Sequence, residues 1–212
     1  MLEDIIKKSD SLNIQRYVAK MIKRPSAHEH THILYDIVTM IGNENKKVDY
    51  LEIGSYLGSS ACLVQQNEFT NSITCIEARE DFAKEINTNL TNLNKHNIDF
   101  TIHNHRSTDA IIIDKLTDKS FDLLFIDGDH SHDGVLSDFN IYKDLVKPGG
   151  YIVFDDYLDS KYSPGVMTAV DYIVRDLIDG DFEVIGMVQN HHNARVRYDI
   201  GKMMNEFIIK KL

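Results

Sequence analysis

Val48-Asp49-Tyr50-Leu51-Glu52-Ile53-Gly54-Ser55-Tyr56-Leu57-Gly58-Ser59-Ser60 is the stretch on which the fold turns. Its first six residues have the pattern of a short strand. Gly54 stops it, because a residue without a Cβ allows a tight turn or a close backbone approach. Residues 58–67 then have a helical pattern, with Ser59 and Ser60 as candidate caps. The same strand–turn–helix unit recurs down the chain. Ser72-Ile73-Thr74-Cys75-Ile76-Glu77 is a second strand, and 80–95 a helix with Phe82, Ile86, Leu90 and Leu93 on one face. A third strand over 98–103 precedes a helix over 107–116. Phe121-Asp122-Leu123-Leu124-Phe125-Ile126 is nearly all apolar, as expected of a strand buried on both faces, and leads into a helix over 132–145. Pro148-Gly149-Gly150 makes a turn before a fifth strand, Tyr151-Ile152-Val153-Phe154. A helix over 164–178 follows and tolerates Pro164 in its first turn. The strand patterns 182–189 and 206–211 have no long helical segment between them, which predicts an antiparallel hairpin.

Upstream, Ile33, Leu34, Ile37, Val38 and Ile41 recur at helical spacing, while Ile5, Ile6, Leu12, Val18, Met21 and Ile22 do so more loosely. Pro25 separates the two segments. Residues 1–45 are therefore expected to form a helical extension, and 46–212 the main domain. Repeated strand–helix units with short links predict an open, right-handed α/β sheet. In such sheets ligands bind beyond the carboxyl ends of the strands, so the residues just after each strand carry the functional search.

Composition narrows the function. The chain has 212 residues, 42% hydrophobic and 26% charged, enough for a substantial core and against wholesale disorder. The net charge of −10 disfavours a phosphate-backbone footprint, so no nucleic-acid partner is expected. No apolar run suggests a membrane span, and the first residues lack the pattern of a secretory signal, so a cytoplasmic protein is expected. Cys62 and Cys75 both lie in apolar runs and are expected as buried thiols rather than a disulfide framework.

The turn after the first strand does not fit a dinucleotide fingerprint. Tyr56 stands where GxGxxG requires its second glycine, and a pyrophosphate needs close backbone approach there. Exposed amides in this turn could still bind an anion or a polar ligand. Glu77 ends the second strand, where a carboxylate can accept hydrogen bonds from both hydroxyls of a ribose. An ordinary βα turn and a solvated strand-end carboxylate are the plain alternatives. The two features together favour a nucleoside.

Glu52-Ile53-Gly54-Ser55-Tyr56-Leu57-Gly58-Ser59-Ser60 resembles the first motif of class I S-adenosylmethionine (SAM)-dependent methyltransferases. Cys75-Ile76-Glu77-Ala78 resembles their acidic second motif, and Leu145-Val146-Lys147-Pro148-Gly149-Gly150 their later LxPGG-like turn. Ile126-Asp127-Gly128-Asp129-His130-Ser131-His132-Asp133-Gly134-Val135 is the most specific piece. It resembles the IDGxHxYxxV pattern of a branch that includes metal-dependent sugar O-methyltransferases and cephalosporin hydroxylase-like proteins, with His132 in place of the tyrosine. The resemblance implies a Rossmann-like, seven-stranded, mostly parallel sheet of order 3-2-1-4-5-7-6 with an antiparallel last strand. It implies SAM as cofactor on Glu52, Gly54, Ser55, Tyr56, Ser59, Glu77, Ser107 and Asp127, and a small-molecule or sugar acceptor.

Between Asp127 and Asp159 lie eight Asp, no Glu, no Arg and two Lys. Asp127 follows the fourth strand, and Asp155 and Asp156 follow the fifth. Parallel neighbouring strands would bring all three to one sheet edge, where they repel one another unless a proton or cation intervenes. An all-oxygen set suits Mg²⁺, with Mn²⁺ or Ca²⁺ as alternatives, and the resemblance also places metal ligands here. A helix-capping or polar-loop role is the competing reading. His130 sits three residues after Asp127 and is the candidate general base for the acceptor hydroxyl, as the resemblance suggests too. His28, His30 and His32 alternate ahead of a helix and are expected in a solvated loop or a lid. His191 and His192 fall in the polar connection 190–204. That connection and the N-terminal helices are expected to shape the acceptor pocket and are candidates for a homo-oligomer interface. Two other functions compete: a redox iron enzyme, against which an all-carboxylate cluster argues, and a catalytically silent SAM-binding protein.

Overall fold

The computed structural model describes residues 9–23, 31–44, 46–188 and 205–212. One sheet of seven strands has the order β3-β2-β1-β4-β5-β7-β6, as anticipated. The chain divides into two compact units, residues 1–105 and 106–212.

The first unit contains α1 (Ser11–Met21), α2 (His32–Gly42), β1 (Val48–Ile53), α3 (Ser59–Gln65), β2 (Thr70–Ile76), α4 (Glu80–Leu93) and β3 (Asp99–His103). β1 pairs with β2 and β2 with β3, both in parallel. The apolar stripe predicted for α2 is buried throughout. Gly42 ends that helix against the Phe69 ring, where a Cβ would lie 2.0 Å from the ring. Beside this stripe sits a polar patch the sequence pattern did not suggest. Ser11 Oγ donates to Asp36 Oδ2 at 2.9 Å, and His32 Nδ1 lies 3.6 Å from the same oxygen. All three side chains are buried. His32 is thus an interior residue of a helix, not part of a solvated tract; His28 and His30 lie outside the described residues.

The second unit contains α5 (Ala110–Leu116), β4 (Phe121–Ile126), α6 (His132–Tyr142), β5 (Val146–Tyr157), α7 (Pro164–Tyr172), β6 (Phe182–Val188) and β7 (Asn205–Lys211). All six residues of β4 are buried, in line with its apolar sequence. At about 1.5–3 kcal/mol per large apolar side chain, this strand is a main source of core stability. β4 and β5 run parallel; β7 lies antiparallel to both β5 and β6. β5 is longer than its apolar run. It begins at Val146, and its register on β4 jumps from Phe121↔Val146 to Leu123↔Tyr151. The predicted Pro148-Gly149-Gly150 turn is therefore a bulge within the strand, with Gly149 at φ +83. Phe139 of α6 packs on Phe154 and Phe182, closing one face of the sheet. α7 passes into a turn of wider, i→i+5 bonding over Ile173–Leu177. Both cysteines are free and buried. Among the described residues, no helix is long and apolar enough to cross a membrane.

Candidate active site

In the first unit, the turn after β1 is held in an uncommon backbone conformation. Gly54, Tyr56 and Gly58 all have positive φ, at +84, +47 and +76. Glycine adopts this region freely; a tyrosine there is strained and needs surrounding contacts to hold it. The Gly54 N–H donates to the Ile76 carbonyl at 2.9 Å, and the Gly58 N–H to Ser55 O at 2.6 Å. The Glu77 carboxylate completes the brace: Oε2 accepts from the Tyr56 N–H at 2.8 Å and Oε1 from the Arg79 N–H at 2.9 Å. The Tyr56 ring stands edge-on to Phe82, at 4.3 Å between centroids, and the Arg79 guanidinium covers Phe82 at 3.8 Å.

The two serines read as caps of the next helix do a different job here. Gly58, not a serine, is the N-cap of α3, and its carbonyl accepts the helix's first bond from Cys62 N at 2.8 Å. Ser60 points inward and donates to Glu52 Oε1. Glu52 is fully buried and also accepts from the Tyr50 hydroxyl at 3.1 Å, so it braces the turn from within. Ser55 is buried beside Cys75, whose thiol is pushed up by burial first and by the charge of Glu52 second. Ser59 is the first helical residue, and Tyr56 is 40% exposed.

In the second unit, Ser107 is gripped from α6. The Tyr142 hydroxyl donates to the Ser107 carbonyl at 2.5 Å, and the Ser107 hydroxyl bonds the Asp138 carboxylate. Asp138 is buried, which pushes its carboxyl up to about 6; the Ser107 bond pulls the other way, and Asp129 adds a further push upward. Both the carbonyl and the hydroxyl of Ser107 are thus held by side chains of α6.

Of the three carboxylates expected to meet, Asp127 and Asp155 are brought together and Asp156 is not in the group. The Ile126↔Phe154 pairing sets Asp127 beside Asp155 at the ends of β4 and β5. His130 Nε2 lies 3.0 Å from Asp127 Oδ1. Asp127, His130 and Asp155 each offer a ligand atom, and these atoms lie within 4.8 Å of one another. Two carboxylate oxygens and one imidazole nitrogen suit a divalent cation, though the set is not the all-oxygen cluster expected from sequence. Asp156 is turned elsewhere: its Oδ2 accepts from the Ser163 hydroxyl at 2.9 Å and lies 3.4 Å from His130 Nδ1. Ser163 Oγ also contacts His130 Nδ1 at 2.8 Å.

Both glycines around this cluster are required by close packing. A Cβ on Gly134 would lie 2.6–2.7 Å from Asp129, and one on Gly165 would lie 2.5–2.6 Å from His132 N and His130 O. Ser131 caps α6 by accepting from Gly134 N at 3.0 Å. His132, which stands where the motif has tyrosine, points away from the cluster toward Asp133 and the Tyr172 ring.

A model of the family described as "Methyltransferase domain" matches residues 51–157, from the first turn through the carboxylate cluster. The chain belongs to this methyltransferase family. An uncharacterized protein of Acanthamoeba polyphaga mimivirus is 38% identical over 210 residues, 92% of each chain. Among solved structures, a Staphylococcus aureus protein assigned as a caffeoyl-CoA O-methyltransferase aligns with TM-score 0.65 at 18% identity, over 97% of this chain and 94% of that one. The O-methyltransferase TomG from Streptomyces achromogenes, solved with SAM, aligns with TM-score 0.63 at 16% identity, over 96% and 90%. At these identities the two structures bear on the fold, which is that of the class I methyltransferases.

In this methyltransferase, Ser163, Asp138 and Tyr142 were not singled out by sequence. Ser163 had one available signal. It precedes Pro164 at a helix start, where serine ordinarily caps, yet it makes no capping bond.

Proposed function

We propose that this methyltransferase moves a methyl group from SAM to a hydroxyl of a small molecule or sugar, assisted by a divalent cation. The observation that carries the reading is the meeting of Asp127 and Asp155 at the ends of two neighbouring strands, with His130 Nε2 3.0 Å from Asp127 Oδ1. SAM supplies a methyl already activated on a sulfonium, so alignment of the acceptor accounts for much of the acceleration. Gly54, Ser55, Tyr56 and Ser59, with Glu77, would take the nucleoside end, and Glu52 would hold the turn from behind. Ser107 and Asp127, in the second unit, are the remaining residues the family resemblance assigns to the cofactor. Asp127 and Asp155 would hold Mg²⁺, or Mn²⁺ or Ca²⁺ in its place, which would act as a Lewis acid on the acceptor hydroxyl. The His130 imidazole, 31% exposed, would accept the acceptor's proton. A redox-iron reading fits less well, because non-haem iron oxygenases use two histidines and this group supplies one. Residues 1–45 would form an extension shaping the acceptor pocket and offering a surface for a second copy of the chain, in a cytoplasmic enzyme.

Calorimetric titration with S-adenosylhomocysteine (SAH) and with NAD tests the cofactor; tight NAD binding with no response to SAH would overturn it. Thermal melts in EDTA, Mg²⁺, Mn²⁺ and Ca²⁺ test the cation. One ion at about 100 times its dissociation constant should stabilise by about 2.7 kcal/mol. No shift at millimolar ion, with methylation undiminished in EDTA, removes the cation from the mechanism.

A further inference from the structure

β3 ends the sheet: β2 lies on one side of it, and among the described residues no strand lies on the other. Its five residues, Asp99-Phe100-Thr101-Ile102-His103, pair with β2 in unbroken register. The Glu77 N–H donates to the His103 carbonyl at 3.0 Å, so the backbone of His103 faces the β2 side. Backbone groups of successive strand residues point to opposite sides. Those of Asp99, Thr101 and His103 therefore face β2, and those of Phe100 and Ile102 face the free edge. Such an edge is a template for another strand, and chains commonly guard it with lysine, proline or a bulge. β3 has none of these.

Read against its own reverse, the strand matches itself. In an antiparallel pair centred on Thr101, Phe100 of each copy faces Ile102 of the other, and the two residues exchange both of their N–H···O bonds. The outward backbone groups of both chains are then all satisfied. Thr101 meets Thr101, and Asp99 meets His103, at the non-hydrogen-bonded positions where opposite side chains approach most closely. A carboxylate thus lies twice across from an imidazole able to donate to it, and no like charges face each other. A two-fold axis through this pair keeps the same face of both strands upward. The half-buried Phe100 and Ile102 of both copies then lie together on the α4 side. There each chain has an open groove of about 560 Å³, lined by these two residues with Ala83 and Asn87 among others.

We propose that the β3 edge is the docking surface for a second copy of this chain, which adds its own β3 in antiparallel register about Thr101. This surface lies outside residues 1–45 and draws on none of the chemistry assigned to the carboxylate cluster. A five-residue strand makes a small interface, so association is expected at micromolar rather than nanomolar concentration.

Sedimentation velocity of the full chain across the micromolar range, with disulfide trapping, tests the pairing. Wild type should associate as its concentration rises. Thr101 is exposed, so Thr101→Lys should fold normally by circular dichroism, yet it sets two ammonium groups against each other at the axis and should halve the mass of the assembly. In this register the two Thr101 Cα atoms lie about 4.5 Å apart, within the span of a disulfide. Thr101→Cys should therefore form a covalent dimer on mild oxidation, and Asp99→Cys, which meets His103, should not. The native cysteines are both buried and add no background. A wild-type chain that stays monomeric into the high micromolar range overturns the proposal. So does an assembly that Thr101→Lys leaves intact, or cross-linking of Asp99→Cys as readily as Thr101→Cys.

Discussion

Glu77 gives the sharpest separation between holding the fold and holding a ligand. Its carboxylate accepts from two backbone amides, Tyr56 N and Arg79 N, and is 7% exposed. A hydrogen bond to a charged group contributes about 1.5–3 kcal/mol net, and leaving a buried amide without an acceptor costs a similar amount. The two bonds share one carboxylate and water can partly replace it, so Glu77→Ala should destabilise the ligand-free chain by about 2–4 kcal/mol. For a chain of this length each kcal/mol moves the melting temperature by about 2–4 °C, which gives a fall of about 4–16 °C. Glu77→Gln keeps one acceptor but turns an amide NH₂ toward the other backbone N–H, so it should fall between the two. Circular-dichroism melts without ligand, followed by SAH titration well below the new midpoint, make the measurement. A Glu77→Ala chain that melts within about 1 °C of wild type while losing SAH affinity would refute the bracing account and leave only a ribose contact.

Asp138 should make stability depend on mildly acidic pH. Its folded pKa, about 6, lies above the ordinary 3.8 because burial penalises the charge, so the folded state holds the proton more tightly. That contribution is fully present below about pH 4 and is lost as pH rises through about 6, a change of about 2–3 kcal/mol. Urea midpoints of Asp138→Asn should be flatter over this window than those of wild type; parallel curves would rule out Asp138 as the source. His130→Ala should lower kcat roughly 10²–10⁴-fold in a homocysteine-release assay, with SAH and Mg²⁺ affinity nearly unchanged. Near-full turnover, or loss only through collapse of cation binding, would remove the base role.

The parts of the molecule written in short-range pattern were legible in the sequence. Phe121–Ile126 could only be a strand buried on both faces, and β1 declared itself through Gly54. From those two elements the pairing of β4 with β5, and hence the meeting of Asp127 with Asp155, followed by topology. What could not be read was side-chain direction. Ser59 and Ser60 looked like caps, but Gly58 reaches the left-handed conformation at little cost and takes that role, freeing Ser60 to meet Glu52. Asp155 and Asp156 are adjacent, but the strand pairing is irregular between Phe154 and Tyr157 and Asp156 sits at φ +55, so one joins Asp127 while the other meets Ser163. Ser163 lies 33 residues from His130 in a segment without periodicity, and only the packing of α7 against the start of α6 joins them. The buried Ser11–Asp36–His32 contact was hidden for the same reason.

The place of β7 carries a consequence for how the chain holds together. β5 and β6 point the same way, and α7 lies between them in the chain, the kind of connection that ordinarily sets two parallel strands side by side. Here they end up one strand apart, with β7 filling the gap and giving β6 its partner. β6 is thus tied to the sheet only through a strand that follows it in the chain, so a change that unseats β7 from β5 leaves β6 without a strand to pair with.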